Sequence, residues 1–335
     1  MKIIADENIP FLKGVFEKVA DIKYLSGGAI KKEDIADVDA MIIRTRTCCN
    51  QELLEDSSIK FIATATIGAD HLDISWLEQV GIKWSNAQGC NSGAVCQYIE
   101  SVLSLLINEG IKPTNTTIGI VGVGSVGSKV EKLAKKLNFN VLLNDPPRAR
   151  KESNLCFVDL QTLLKQSDII TFHTPLTFEG IDATFRLFNF NSLELLKPKA
   201  IIINTSRGDV VHSQALIKGL DSDKISRVVL DVWENEPNIS KELLKKVWIA
   251  TPHIAGYSYE GKANATAMSV QAISRFFNLG LDNWQPQLSS KIDFKVYNVM
   301  DDDAKLRKNP EDFEKIRDNY PMRREENLNK QKMTN

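Results

Sequence analysis

No run of apolar residues in the 335-residue chain is long enough to cross a bilayer. The first ten residues, MKIIADENIP, break their apolar stretch at Asp6 and Glu7, too early for the core of a secretory signal. Net charge is scarce as well. Forty-two Lys and Arg against 43 Asp and Glu leave −1, which removes any general attraction to nucleic acid or to an anionic membrane, so an anionic ligand must be held by local charges. Cysteine is sparse and unpatterned: Cys48, Cys49, Cys90, Cys96 and Cys156 include one adjacent pair and no CxxC. Neither a disulfide framework nor a metal site is expected, and these are read as reduced packing residues of a cytoplasmic protein. Repeats of solenoid period and low-complexity tracts are missing too.

What remains is the composition of an ordinary globular protein, 43% hydrophobic and 25% charged, on a chain longer than one core normally grows. Short β-branched runs alternate with helical patterns from the start: KIIAD, a helical stretch to Ala20, IKYL, DAMIIR, KFIATAT and IKWSNA. A long amphipathic stretch through Val95, Ile99, Val102 and Leu106 follows. A second alternation then runs through TIGIVGVG, NVLLND, DIITFHTP, AIIINTSRG, RVVLDVW and WIATPH. Near-continuous apolar strands separated by helices predict an α/β fold of two doubly wound parallel-sheet domains, Rossmann- or flavodoxin-like. A helical pattern from Tyr259 to about Phe277 returns the chain to the first domain. The expected division is therefore 1–93 with 257–280, a cofactor domain at 94–256, and a small α+β module at 281–335. In that module KIDFKVYNVM alternates like a strand, EDFEKIRDNY reads as a short helix, and the polar tail is expected to fray.

The clearest motif is GIVGVGSVGSKV, with Gly122, Gly124 and Gly127 in GxGxxG between an apolar strand and a helix. The glycines permit a tight turn and close backbone approach, and the N–H groups at Ser125, Val126 and the helix start suit a pyrophosphate. Asp145 ends the next strand eighteen residues past Gly127, where a carboxylate accepts from ribose hydroxyls and repels a 2′-phosphate, so NAD is expected over NADP. Arg148 is the one nearby feature that softens this preference. The alternative is a glycine-rich turn that merely closes an α/β unit.

Hydride chemistry on a 2-hydroxy acid needs a base for the hydroxyl proton and a cation for the carboxylate. Of four histidines, His71 sits near a helix start, His173 precedes Thr174-Pro175, and His212 opens a helix. His253 ends an apolar strand and is followed by Ile-Ala-Gly, at the edge of the sheet where ligands bind. Glu236 and Arg207 also follow strands of the same domain, so a carboxylate that orients the imidazole and a guanidinium that grips a carboxylate can converge on it. The alternative is three side chains capping separate surface loops.

These segments resemble the D-2-hydroxyacid dehydrogenases. Arg-Gly after a strand, LDVWENEP and HIAGYSYEGKA carry the likeness, with DENIP, Ile-Arg-Thr at 43–45, TATIGADHLD, NDPPRA and TFHTPL. Within the family the likeness is to members that oxidise a phosphorylated 2-hydroxy acid, 4-phospho-D-erythronate, on the route to pyridoxal phosphate. The resemblance implies Arg207, Glu236 and His253 as the catalytic trio, with His253 the proton acceptor. It implies Asp145, Thr174, Asp231 and Gly256 as NAD contacts beside the glycine loop, and Thr45, Thr66 and Tyr257 as substrate contacts. Arg44 is an added candidate for binding phosphate or carboxylate charge. It further implies a C-terminal dimerisation module, shortened here, and hence a homodimer. Thr45 stands where the family has Ser, Arg186 where it has His, and Arg46 adds a cation beside Arg44. Two rivals remain: another member such as a D-3-phosphoglycerate dehydrogenase, and an NAD-sensing binding protein on the same fold.

Overall fold

The computed structural model describes residues 1–152, 156–289, 297–321 and 323–325. The chain divides into two compact units, Met1–Asn91 with Ser258–Asp293, and Ser92–Tyr257 with Phe294–Asn335.

In the first unit β1 (Lys2–Asp6), β2 (Asp21–Leu25), β3 (Ala40–Ile43), β4 (Phe61–Thr64) and β5 (Lys83–Asn86) form a parallel sheet ordered β2-β1-β3-β4-β5. Its central strands are buried on both sides, which is why AMII and FIAT carry no alternation. Residues 7–20, expected to be helical, form turns instead. Pro10 withholds an N–H, and Phe11 and Gly14 take left-handed φ values of 64° and 89°, so no helix can pass through them. The helix Tyr259–Phe277 covers one face, packing Val270 and Ile273 on Ile3, Ile42 and Phe61. Its start is fixed by the Ser258 side chain, which accepts from the Gly261 N–H, and its end by Asn278 in the left-handed region. The chain reverses its direction of travel across the sheet between β1 and β3, placing Asp6 and Arg44 side by side at the carboxyl ends.

The second unit holds β6 (Thr117–Val121), β7 (Asn140–Asn144), β8 (Ile169–Phe172), β9 (Ala200–Asn204), β10 (Ile225–Leu230) and β11 (Ile249–Ala250), all parallel, in the order β11-β10-β9-β8-β6-β7. One face packs Phe172, Phe188, Leu216 and Trp233, and the other Tyr98, Leu106, Ile118 and Ile203. The helix Ser92–Asn108 supplies Tyr98 and Leu106 to the second face. Here the reversal falls between β6 and β8, so the glycine loop and Thr174 open on the same crevice.

Two C-terminal helices, Val299–Lys308 and Phe313–Asp318, belong to this unit. They close the β11 edge. Asp303 accepts the Ala250 N–H at 2.7 Å, and Arg307 donates to the carbonyls of Leu244 and Val247 at 2.7 and 2.9 Å. Leu306 and Phe313 are buried in the core cluster of the β8 face. The strand expected in KIDFKVYNVM falls largely on 290–296, outside the described residues, and its last two residues open the helix at Val299. No helix among the described residues is long and apolar enough to cross a membrane.

Phe313→Ala should lower the unfolding free energy by about 3–5 kcal/mol in urea titrations. A loss below about 1 kcal/mol would mean that this segment contributes nothing to the core.

Candidate active site

The loop after β11 is built around one carboxylate. Asp231, which directly follows β10 and is 1% exposed, accepts from the Thr251 hydroxyl at 2.6 Å, the Ile254 N–H at 2.8 Å and the Ala255 N–H at 2.9 Å. Its carbonyl accepts the His253 N–H at 2.7 Å. Burial pushes the Asp231 carboxyl upward, against the pull of the nearby His253 and of these hydrogen bonds. The clamp holds His253 in the left-handed region, φ 57°, a conformation that costs a β-carbon residue free energy and persists only when its surroundings fix it. The hydroxyls of Tyr98 and Thr251 are 2.9 Å apart, tying the same loop to the helix beneath.

So posed, His253 Nδ1 lies 2.7 Å from Glu236 Oε2. The other Glu236 oxygen accepts the Trp233 N–H at 2.8 Å, so the carboxylate is anchored at both ends. With Nδ1 as donor, Nε2 carries the lone pair. Arg207 follows β9 and spends one N–H on the Ser206 carbonyl at 2.9 Å; the Asn204 side chain holds the Arg207 carbonyl at 2.9 Å. Gly208 lets this loop close on the one after β10, because a Cβ there would sit 1.9 Å from the Trp233 carbonyl oxygen. The spacing that joins Arg207 to the Glu236–His253 pair is therefore a glycine requirement.

The glycine loop behaves as its motif predicts. A Cβ at Gly122 would meet the His173 backbone and Thr174 at 2.8 Å, and one at Gly127 the Gly122 carbonyl oxygen at 2.1 Å, whereas above Gly124 there is open space. The helix Gly127–Lys136 starts directly behind. Asp145 receives the Val123 N–H at 2.8 Å and the Arg148 N–H at 3.0 Å, which aims it at the loop. The Arg148 guanidinium is taken by Glu152 through two bonds of 2.7 and 2.9 Å, so it stands beside a carboxylate that would repel a 2′-phosphate. The Thr174 hydroxyl is buried with no partner among the described residues. An open cradle over Gly124, an acid at the ribose position and an orphaned hydroxyl all fit NAD.

The remaining histidines have other roles. His173 is held between the hydroxyls of Thr171 and Thr205 at 2.9 and 3.3 Å, and burial lowers its pKa to about 3. His71 lies two residues before Asp73, which caps the next helix, and its ring sits 3.0 Å from the Thr64 hydroxyl. His212 packs edge-on against Phe190. In the first unit Arg44 pairs with the fully buried Asp6 at 2.9 Å, Thr45 is exposed, and the Thr66 hydroxyl bonds Thr64 and the Gly68 carbonyl. Arg186 faces Glu234 at 3.6 Å and stacks on Phe185. Gly208, Thr251 and Tyr98 were not singled out from the sequence. Gly208 carried a signal in the Arg-Gly pair, but the two hydroxyl partners lie far from their targets along the chain and carried none.

A model of the NAD binding domain of D-isomer specific 2-hydroxyacid dehydrogenases matches residues 106–255. A protein named erythronate-4-phosphate dehydrogenase from Bacteroides thetaiotaomicron is 50% identical, covering 97% of this chain and 97% of its own length. One of the same name from Bacteroides fragilis is 46% identical over the same shares. Among solved structures, D-2-hydroxyisocaproate dehydrogenase matches with TM-score 0.69 at 26% identity, over 84% of this chain and 98% of its own. The NAD+-bound 3-phosphoglycerate dehydrogenase of Entamoeba histolytica matches in fold with TM-score 0.69 at 22% identity, over 86% of this chain and 99% of its own.

Because His173 is neutral when folded down to about pH 3 but takes up a proton near pH 6.5 when unfolded, its contribution is full above pH 6.5 and is lost as pH falls toward 3. His173→Gln should therefore flatten the acid limb of stability, removing about 2–3 kcal/mol of the wild-type loss between pH 7 and 4.5. Equal slopes for the two proteins in urea titrations at those pH values would contradict this. Gly208→Ala should also cost at least about tenfold in kcat/KM, since neither backbone segment has room for the methyl; unchanged turnover would mean that the two loops need not touch.

Proposed function

The chain belongs to the D-isomer specific 2-hydroxyacid dehydrogenase family, and on that footing we propose that it oxidises 4-phospho-D-erythronate at C2, with NAD as hydride acceptor, to 3-hydroxy-2-oxo-4-phosphobutanoate, in pyridoxal phosphate biosynthesis. The observation that carries the chemistry is the His253–Glu236 pair, posed by Asp231 beside the Arg207 loop. The substrate is taken from the relatives named erythronate-4-phosphate dehydrogenase, which match along nearly the whole chain.

Oxidising the C2 alcohol removes a proton and a hydride. Bound NAD supplies the acceptor for the hydride. His253 Nε2 takes the hydroxyl proton, and Glu236, hydrogen bonded to Nδ1, stabilises the imidazolium that results and keeps the ring in plane. Arg207, whose remaining guanidinium donors have no acceptor among the described residues, grips the substrate carboxylate and draws charge toward the oxygen that becomes a carbonyl. In the cofactor half, the glycine loop takes the pyrophosphate, Asp145 the ribose, and Thr174 and the loop through Gly256 the nicotinamide end. Thr45, Thr66, Arg44 and Tyr257 are the proposed substrate contacts. We also assign the protein to the cytoplasm as a homodimer, a state that size-exclusion chromatography with light scattering would test.

Purified protein followed by NADH absorbance should prefer 4-phosphoerythronate over 3-phosphoglycerate and lactate by at least about tenfold in kcat/KM, the discrimination that one well-placed ionic contact provides. His253→Ala should lower kcat by about 100- to 10,000-fold. A preference for another acid would move the substrate within the family, and a His253→Ala variant at wild-type rate would remove the proposed base.

A further inference from the structure

The second unit holds another cation that the chemistry above leaves without a task. Arg317, on the helix Phe313–Asp318, donates from Nε to the Tyr257 hydroxyl at 3.0 Å. No carboxylate pairs with it among the described residues, and its terminal nitrogens have no acceptor there, yet it lies near enough to Glu236 and Asp231 to feel their charges. Tyr257 is four residues past His253, on the same loop.

Three features hold the segments around Arg317 and Tyr257. Phe313, one turn earlier, is in the core. Tyr320 meets Tyr257 edge-on at 5.8 Å and donates its hydroxyl to Asp302 at 2.6 Å. Arg323 stacks 4.1 Å from the Tyr297 ring and donates to the carbonyl of Ala94 at 3.2 Å and to that of Ala255. A half-buried guanidinium bonded to one neutral hydroxyl has lost water without a carboxylate hydrogen bonded to it, an arrangement that becomes favourable when an anion arrives. The anion already implied at Arg207 is a carboxylate, which leaves the second anionic group of the substrate unassigned in this unit.

We propose that Arg317, bracketed by Tyr257, binds the phosphate group of the substrate, so that the C-terminal segment supplies selectivity for a phosphorylated acid. This rests on the substrate reading above.

The test compares wild type, Arg317→Ala and Arg317→Lys on 4-phospho-D-erythronate and on D-erythronate, with NAD. Arg317→Ala should lower kcat/KM for the phosphorylated acid on the order of 100-fold, mainly through KM, and leave D-erythronate within about twofold, with Arg317→Lys recovering part of the loss. Inorganic phosphate should inhibit the wild type competitively, and Arg317→Ala at least about tenfold more weakly. Equal losses on both acids, or no loss on either, would overturn the proposal while leaving the substrate reading intact. A wild type that does not distinguish the two acids would overturn the substrate reading and this inference together.

Discussion

The carboxylate of Asp231 is the constraint on which the site depends. It is almost wholly buried, and it receives a hydroxyl and two backbone N–H groups from the five residues Thr251–Ala255 while its own carbonyl takes the His253 N–H. A charge removed from water needs such partners, and a loop that bends through a left-handed histidine needs such an anchor. Each requirement satisfies the other. The same geometry delivers the imidazole to Glu236, so the proton-handling pair is a consequence of how the β10 and β11 ends are tied together.

Around that anchor the rest of the active-site unit is arranged by close backbone approach. Gly208 admits the loop bearing Arg207, and Gly122 and Gly127 admit the turn over which the cofactor binds. None of these glycines touches a reacting atom in the mechanism described, yet each sets a distance that a methyl group would destroy. The C-terminal helices then close the exposed edge of β11 through Asp303 and Arg307, which gives the sheet a satisfied border and holds Tyr257 from outside.

Much of this was legible in the chain. Buried parallel strands announce themselves as unbroken runs such as AIIIN and IITF, and the order of motifs along the chain, glycine loop, Asp145, Thr174, Arg207, Glu236, His253, matches consecutive strand ends of one sheet. What was not legible depends on contacts between residues remote in sequence or on local φ values. The turns at 7–20 kept a helical texture because Phe11 looks like a core position until its φ is known. Tyr98 and Thr251 meet across 153 residues, and Arg317 reaches Tyr257 across 60, distances at which no local pattern survives. His71 shows its place before a helix in the sequence, but not the buried threonine that the neighbouring strand sets against its ring.

The most direct test of the central claim is steady-state turnover of Asp231→Asn, a change that keeps the volume but sets an amide N–H₂ against the loop N–H groups. If the Asp231 carboxylate poses His253, kcat should fall by at least about 100-fold in a protein that remains folded by circular dichroism, because a small displacement of the base is enough to spoil proton transfer. A folded Asp231→Asn variant that turns over at the wild-type rate would contradict the claim, since His253 would then reach its position without the clamp.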